Sequence, residues 1–305
     1  MNAPMRKPAR ILVPLDGTPF SEQALDSAVE LARRADAELL LARVHVPWVS
    51  GLEVVEVDRQ TDQEVALEER DYIDKVAARV GQTLGRKVVG ELLQGEIAGT
   101  IAARADEWAA DLVVMTTHAR GPAARFWLGS IADRLIRTLK RPLLLIPPRA
   151  GALAALQLRQ ILVPLDGSPL SESVLAEARK VGALFGASFI LYEAVPEPSP
   201  IVDPSGMIVA MDEPEPMAAR LVAARSHLEG PAESIRASGG TATVVAAGAE
   251  GPASGILAAA GAAHADLIAM ATHGRSGLPR LWLGSVADKV IRGSTVPLLI
   301  LHPPA

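Results

Sequence analysis

The chain contains no cysteine, which excludes disulfide bonds, a thiolate nucleophile and a cysteine metal site. Aromatic residues make up only 3% of the 305 residues, so we expect no platform of aromatic rings for stacking nucleic-acid bases. A strong charge of one sign is also lacking. The formal net charge is −5 and neither half is basic, which argues against binding to DNA or RNA phosphates. These absences favour a cytoplasmic protein without nucleic-acid partners.

No apolar stretch is long enough to predict a membrane span. Residues 254–270 are rich in Ala, but His264 and Asp266 interrupt them, so they predict a buried helix followed by a strand. Residues 1–9 carry Arg6 and Lys7, but the apolar core of a signal peptide with a cleavage site does not follow them, and we expect a short disordered lead. Apolar residues still make up 49% of the chain, which is enough for a large buried core.

An internal repeat divides the chain into two similar copies. Residues 10–25 match residues 160–175 at 11 of 16 positions, and residues 110–148 match residues 265–303 at 20 of 39 positions. The offsets are 150 and 155, so the second copy carries five additional residues between the matching blocks. A period of this length indicates the duplication of a whole domain.

Each copy alternates predicted strands with predicted helices. Short apolar runs that end in turn residues are typical of buried parallel strands, and apolar residues at helical spacing indicate amphipathic helices. The first copy predicts strands at 11–15, 38–46, 87–93, 112–115 and 143–146, and helices that begin at Ser21 and cover 62–84, 97–108 and 131–139. The second copy repeats this order and ends with a strand at 298–301.

This alternation predicts two tandem α/β domains, at 10–148 and 160–303, joined by a linker at 149–159. Each domain is expected to be doubly wound, with a five-stranded parallel sheet and helices on both faces. The last strand of each copy is apolar and lies at a predicted sheet edge, so both edges need to be covered.

Two motifs in each copy follow strands, where open α/β sheets bind their ligands. The first motif is Asp16-Gly17 in copy one and Asp166-Gly167 in copy two. The second motif in copy two begins with Met270-Ala271-Thr272-His273-Gly274-Arg275 and continues with Gly284-Ser285 ten residues after its glycine. The corresponding pair in copy one is Gly129-Ser130.

The Gly-Ser pairs indicate a phosphate site. A helix that begins there offers unpaired backbone N–H groups and the positive end of its dipole, and glycine allows an anion to approach the backbone. Arg275 and Arg280 add positive charge, and Asp166 can accept hydrogen bonds from ribose or hold a divalent ion through the phosphates. The alternative is that Gly-Ser is an ordinary helix cap and that the glycines only make turns.

Other polar residues give weaker predictions. His118 and His273 lie in the loop after the fourth strand, but no second histidine or carboxylate follows at metal-ligand spacing, so we expect no metal site. The acidic run 64–74 has helical spacing and predicts a solvated face. The remaining histidines are expected at the surface or partly buried: His45, His227, His264 and His302.

The motifs together resemble those of the universal stress protein family. Copy two contains Ile-Leu-Val-Pro-Leu-Asp-Gly-Ser and later Met-Ala-Thr-His-Gly-Arg-Ser-Gly and Leu-Gly-Ser-Val-Ala-Asp, and copy one has related segments in the same order. The resemblance covers nearly the whole chain. It implies five-stranded parallel domains of the adenine nucleotide alpha hydrolase-like type, which pair antiparallel through their last strands. It also implies ATP as ligand in the branch marked by Gly-x2-Gly-x9-Gly-Ser/Thr.

Copy two matches this ATP motif better than copy one does. In copy two only the first glycine is replaced, by Ala271. In copy one the first two glycines are replaced by Thr116 and Ala119. A methyl group at position 119 obstructs a phosphate, and Pro122 removes an N–H donor from the same loop. The resemblance therefore implies that ATP binds mainly in copy two.

The resemblance also places adenine near the end of the second strand of each copy. In copy two, the expected nucleotide contacts are Pro164, Leu165, Asp166, Gly167, Ala194, Met270, Ala271, Gly274, Arg275, Gly284, Ser285 and Val286. In copy one, the contacts of the weaker site are Asp16, Val44, Gly129 and Ser130.

The sequence therefore predicts an ATP-binding, nucleotide-responsive stress factor, with Mg²⁺ as the accompanying ion. No evident general base and no Walker lysine are present, so we expect at most slow hydrolysis or autophosphorylation beside Ser285. Two alternatives stay open: a nucleotide-free scaffold protein, and an ATP-dependent transferase of unknown acceptor. The expected partners are the two halves of the chain, paired through their last strands, and a second copy in a homodimer.

Overall fold

In the computed structural model the chain folds into two α/β halves that share one ten-stranded sheet. The structure describes residues 10–47, 59–117, 129–147, 156–202, 207–212, 215–272 and 283–302. Within these ranges, no helix is both long and apolar enough to cross a membrane.

The first half alternates strands and helices in the predicted order. Its elements are β1 (Arg10–Pro14), α1 (Pro19–Ala35), β2 (Glu38–His45), α2 (Arg59–Leu84), β3 (Val89–Gln94), α3 (Ile97–Glu107), β4 (Leu112–Thr116), α4 (Ser130–Thr138) and β5 (Leu143–Ile146). Helix α1 begins two residues before the predicted Ser21, because Thr18 caps it by accepting a hydrogen bond from the amide of Ser21 at 3.2 Å. Proline at the first helical position fits this start, because an N–H group there would have no acceptor within the helix and proline has none to leave unpaired.

The second half repeats this plan with two differences. Its elements are β6 (Gln160–Pro164), α5 (Pro169–Glu172), α6 (Val174–Ala183), β7 (Ser188–Pro196), β8 (Ser199–Val202), β9 (Ile208–Asp212), α7 (Met217–Ala237), β10 (Ala242–Ala249), α8 (Pro252–Ala262), β11 (Leu267–Ala271), α9 (Ser285–Gly293) and β12 (Leu298–Leu301). The first helix of this half is divided into α5 and α6, and a hairpin of β8 and β9 precedes α7. The expectation that copy two simply repeats the order of copy one is wrong at these two places.

The strand order within each half is that of a doubly wound sheet. The orders are β3-β2-β1-β4-β5 and β10-β7-β6-β11-β12, and the strands within each half are parallel. This confirms the predicted fold class. The direction of winding reverses between β1 and β4, and again between β6 and β11. In open α/β sheets, this switch point is where ligands bind, beyond the carboxyl ends of the strands.

The two halves meet along β5 and β12, which pair antiparallel. Leu144 lies opposite Leu299 in this register, and both side chains are fully buried. Helix α1 makes a further contact with the second half. The guanidinium of Arg34 lies 4.3 Å from the ring centroid of Phe185, and its Nη1 donates a hydrogen bond to the carbonyl of Leu184 at 3.1 Å. The sheet is therefore continuous from one half to the other.

The apolar core forms two layers, one on each face of the sheet. Ile11 of β1 packs in one cluster with Leu31 of α1 and Ile73 of α2. The next residue, Leu12, packs in the other cluster with Ile101 of α3 and Leu135 of α4. Successive side chains of a strand point to opposite faces, so helices on both faces require strands that are apolar throughout.

Candidate functional site

A cavity of about 390 Å³ lies at the carboxyl ends of β6, β7 and β11, at the switch point of the second half. Its volume falls within the range of small-molecule sites, roughly 300–1,000 Å³. Many residues predicted from the sequence lie together in its lining: Pro164, Leu165, Asp166, Ala194, Met270, Ala271, Gly284, Ser285 and Val286. The predicted contacts Gly274 and Arg275, together with Arg280 and His273, lie outside the described residues.

Asp166 at the cavity wall also fixes the loop that carries it. One carboxylate oxygen accepts hydrogen bonds from the amide of Ser168 at 2.9 Å and from its hydroxyl at 2.6 Å. The Ser168 hydroxyl in turn accepts a hydrogen bond from the amide of Ser171, and Ser168 thereby caps α5. The aspartate therefore shapes the start of the helix as well as the cavity.

Gly167 lies beside the cavity and is covered by a histidine. Its φ angle is +77°, a conformation that favours glycine, and a Cβ atom at this position would lie 1.6 Å from Cε1 of His227. The same imidazole lies 3.4 Å from a carboxylate oxygen of Glu193, another residue of the cavity lining. His227 and Glu193 thus hold the Asp-Gly turn from the side of α7.

The start of α9 forms a second wall of the cavity. The amide of Gly284 donates to the carbonyl of Thr272 at 3.1 Å, and a Cβ on Gly284 would lie 2.9 Å from that oxygen. Glycine therefore allows α9 to begin directly against the end of β11. Ser285, Val286 and Ala287 line the cavity, so the unpaired N–H groups of the first helical turn and the positive end of the dipole lie at its wall.

The other wall is mostly apolar. Strand β7 contributes Ala194 to this wall, helix α8 contributes Ile256 and strand β11 contributes Met270. Ile256 and Met270 are buried. A nucleotide joins a flat, largely apolar base through a ribose to a chain of anionic phosphate groups. The cavity has a surface suited to the base, formed by the apolar side chains of one wall, and a surface suited to the phosphates, formed by the start of α9 at the other wall.

The first half places its predicted contacts in equivalent positions. Asp16 accepts hydrogen bonds from the amide and hydroxyl of Thr18 at 2.9 and 2.6 Å, and Gly129 caps α4. One difference lies at Thr116, whose counterpart in copy two is Ala271. The Thr116 side chain is buried, and its hydroxyl donates to the carbonyl of Phe20 at 3.0 Å, which ties the start of α1 to the end of β4.

The glycine of the first Asp-Gly pair is also covered, by a different residue. Gly17 has φ +82°, and Nη1 of Arg43 lies 3.0 Å from the position of a Cβ there. Arg43 occupies the sequence position of Glu193 in the second half. The predicted contact Val44 is the next residue of β2 and packs on the opposite face. Residues 118–128, which include His118, Ala119 and Pro122, lie outside the described part of the chain.

The prediction for His45 is wrong, since this histidine is buried, with 4% exposure. Its Nδ1 lies 2.8 Å from a carboxylate oxygen of Glu69, and its Nε2 lies 3.3 Å from Asp62. Glu69 also accepts a hydrogen bond from Arg43 at 2.6 Å. The acidic run 64–74 is therefore not a solvated face throughout, because Glu69 turns inward to pair with β2.

Metal ligands do not cluster in the described part of the chain. Among those residues, no group of three or more His, Asp or Glu side chains is placed to hold a metal ion. A divalent ion in the cavity would therefore need ligands from a bound phosphate as well as from the protein.

The fold and the cavity define a doubly wound α/β protein with a candidate ligand site at a topological switch point. The model of the universal stress protein family matches residues 8–147 and, a second time, residues 157–302. The chain therefore belongs to the universal stress protein family, in its tandem form.

Relatives in this family match either the whole chain or one half of it. A universal stress protein of Mycobacterium tuberculosis is 27% identical over 316 residues, covering 96% of this chain and 95% of that protein. One from Methanocaldococcus jannaschii is 31% identical over 138 residues, covering 45% of this chain and 81% of that protein. The crystal structure of a universal stress protein from Archaeoglobus fulgidus has a TM-score of 0.71 at 19% identity and covers 97% of both chains. At this identity the structural likeness supports the fold alone.

Proposed function

We propose that the chain binds ATP in the cavity of its second half and acts as a nucleotide-responsive stress factor. The observation that carries this proposal is the cavity at the switch point, with an apolar wall and the start of α9 facing the same space. The family membership and the Gly284-Ser285 pair support the choice of a nucleotide over other anions.

Each part of ATP has a place in this arrangement. The adenine ring packs against the apolar wall near Ala194, and the phosphates lie at the first turn of α9, where Ser285 donates one further hydrogen bond. Asp166 accepts from the ribose hydroxyls or holds Mg²⁺ through the phosphates. When bound, ATP supplies a triphosphate whose negative charge the helix dipole and Mg²⁺ offset.

Binding rather than fast catalysis is the proposed role. The described cavity lining contains no Lys or His side chain. Its two carboxylates already have partners, since Asp166 accepts hydrogen bonds within its own loop and Glu193 lies 3.4 Å from the His227 ring. A group that takes a proton from a nucleophile at neutral pH is therefore not in place among these residues. Slow hydrolysis or autophosphorylation beside Ser285 is the most we expect.

The proposal extends to the assembly and location of the protein. The two halves act as an intramolecular pair through β5 and β12, and the second half carries the main nucleotide site. Two chains associate as a homodimer in the cytoplasm.

Nucleotide release and titration test the proposal. Mass spectrometry of the denatured, purified protein is expected to detect ATP, and calorimetry of nucleotide-free protein is expected to show ATP binding. Ser285→Ala should weaken ATP about fivefold to tenfold, the effect of one hydrogen bond. The matched variant Ser130→Ala, at the start of α4, should leave that affinity unchanged.

Two results would overturn it. Absence of binding heat at millimolar ATP would favour the nucleotide-free scaffold. Turnover above about 1 per second, an ordinary enzymatic rate, would favour the transferase.

A further inference from the structure

Tyr192 places a phenol in the lining of the second-half cavity. The residue is 2% exposed and belongs to the central part of β7. It precedes Ala194 by two positions, so both side chains leave the strand on the same face, toward α8. The counterpart in the first half is Ala42, which has no polar side chain. Tyr192 is thus a polar group that distinguishes the two halves.

The position of the hydroxyl is defined by a glycine of α8. A Cβ atom on Gly255 would lie 2.8 Å from the Tyr192 hydroxyl oxygen and 2.7 Å from the Cβ of Ala249. Gly255 is flanked along the helix by Pro252 and Ile256, which both line the cavity. The hydroxyl therefore lies where α8 borders the apolar wall, and glycine leaves room for it.

This hydroxyl has no hydrogen-bond partner among the described residues. Buried tyrosine hydroxyls normally find a partner. The hydroxyl is also not sealed off, because it is not one of the fully enclosed side-chain atoms that lack a hydrogen bond; among the described residues these are Arg43 Nε, His45 Nε2 and Arg86 Nε. Burial raises the pKa of Tyr192, so the group stays a neutral O–H that can donate and accept. The other tyrosine of the chain, Tyr72, donates to Glu22 at 3.0 Å.

We propose that the Tyr192 hydroxyl recognises the base of the bound nucleotide, by a hydrogen bond to the polar edge of the ring. This inference rests on the proposed ATP site. A nucleobase presents apolar faces to Ala194 and Ile256 and nitrogen or oxygen atoms at its edge. Those edge atoms supply the partner that the hydroxyl lacks.

The sheet order separates Tyr192 from the phosphate end of the cavity. Strand β7 and strand β11 are separated by β6, and neighbouring strands lie about 4.8 Å apart, so Tyr192 is about two strand spacings from the strand that leads to α9. The hydroxyl is therefore placed to contact the base and not the triphosphate. Its removal should affect ligands that carry a base and spare those that do not.

Tyr192→Phe tests this assignment, because it removes the hydroxyl and keeps the ring. Calorimetry should show ATP binding about fivefold to tenfold weaker than in the wild type, the effect of one neutral hydrogen bond. Inorganic tripolyphosphate, which has neither base nor ribose, should bind both proteins equally. The matched control is Tyr72→Phe, which removes the only other tyrosine hydroxyl and should leave ATP affinity unchanged.

A spectroscopic measurement gives a second readout. In the Tyr72→Phe protein the single remaining tyrosine is Tyr192, and the NMR signal of its labelled ring should shift with ATP and stay in place with tripolyphosphate. Equal ATP affinity of wild type and Tyr192→Phe would overturn the role of Tyr192 and leave the ATP site standing. Equal losses for ATP and tripolyphosphate would also overturn it. A wild-type protein that binds neither ligand would overturn the ATP site itself.

Discussion

The carboxylate of Asp166 accepts two hydrogen bonds from Ser168, one from the amide at 2.9 Å and one from the hydroxyl at 2.6 Å. Asp16 and Thr18 form the same pair in the first half, with the same two distances. The repeated aspartate thus has a structural role in both halves. A role of Asp166 in nucleotide binding must therefore be tested by comparing its substitution with the same substitution of Asp16.

Asp166→Ala is expected to lower both stability and ATP affinity. Loss of the capping interactions should reduce the free energy of unfolding by about 1 kcal/mol. Loss of a charge-assisted contact with ribose or Mg²⁺ should weaken ATP by about 1–3 kcal/mol. Asp16→Ala is the matched control, because it removes the same cap and should leave ATP affinity unchanged. Urea unfolding and calorimetry measure the two effects, and unchanged ATP affinity in folded Asp166→Ala would remove Asp166 from the site.

One ATP per chain is the expected stoichiometry, held by the second half. The second copy has Gly274 and Gly277 where the first has Ala119 and Pro122, so we expect the first half to make one or two fewer phosphate contacts. At roughly 1–2 kcal/mol each, this weakens ATP tenfold to several hundredfold. Gly274→Ala should reduce ATP affinity toward that of the first half. Two equal, tight sites in a calorimetric titration would contradict the asymmetry, as would normal binding by Gly274→Ala.

Glu91 should make stability depend on acid pH. Arg104 donates two hydrogen bonds to Glu91, at 2.6 and 2.8 Å, and this holds the pKa of Glu91 below its usual value. A carboxyl with a lowered folded pKa stabilises the protein above its unfolded pKa, and the effect is lost as pH falls through the folded pKa. Glu91→Gln should therefore cost about 1 kcal/mol at neutral pH, and the difference from wild type should vanish in acid.

Urea unfolding at a series of pH values measures this dependence. Glu68→Gln is the control, because Glu68 is exposed on α2 and its replacement should change little at any pH. A constant difference between wild type and Glu91→Gln down to the lowest pH would refute the linkage.

The β5–β12 seam is expected to carry much of the stability. Leu144 and Leu299 face each other and are fully buried, so either change to Ala should lower the free energy of unfolding by about 2–5 kcal/mol. The double variant should deviate from additivity, because the two side chains are neighbours. Val89→Ala on the outer strand β3 is the control, with 42% exposure and an expected effect of less than about 0.5 kcal/mol. If Leu144→Ala and Leu299→Ala each lowered the free energy of unfolding as little as Val89→Ala, and did so additively, the seam would not carry much of the stability.

The sequence predicted the fold class because its signals are local. The buried strands are short apolar runs, those of β1 and β6 end in Pro-Leu-Asp-Gly, and the order of elements is repeated in the second copy. The β8–β9 hairpin was not predicted. The strand registers give an offset between the copies of 150 at β7 and 154 at β10, so four of the five additional residues lie between these strands. That segment is rich in proline and lacks a clear alternation of apolar and polar residues.

Residues that act through distant pairings were missed for a different reason. The contacts of His45 with Asp62 and Glu69 join β2 to α2 across 17 and 24 positions, and no spacing rule connects residues so far apart. Tyr192 was missed because strand register decides which face borders the cavity. A signal was available in this case, since Tyr192 is one of only two tyrosines in the chain and lies within a predicted strand. The Asp-Gly and Gly-Ser motifs were found because each occurs twice in the sequence.

The antiparallel pairing of β5 and β12 joins two segments of a single polypeptide. A short tether gives such partners an effective concentration on the order of millimolar, whatever the amount of protein present. Dilution does not separate them, and exchange between like halves is disfavoured. The half with Ala119 and the half with Gly274 therefore occur one to one in every sheet, a ratio that two separate polypeptides reach only when their synthesis is matched.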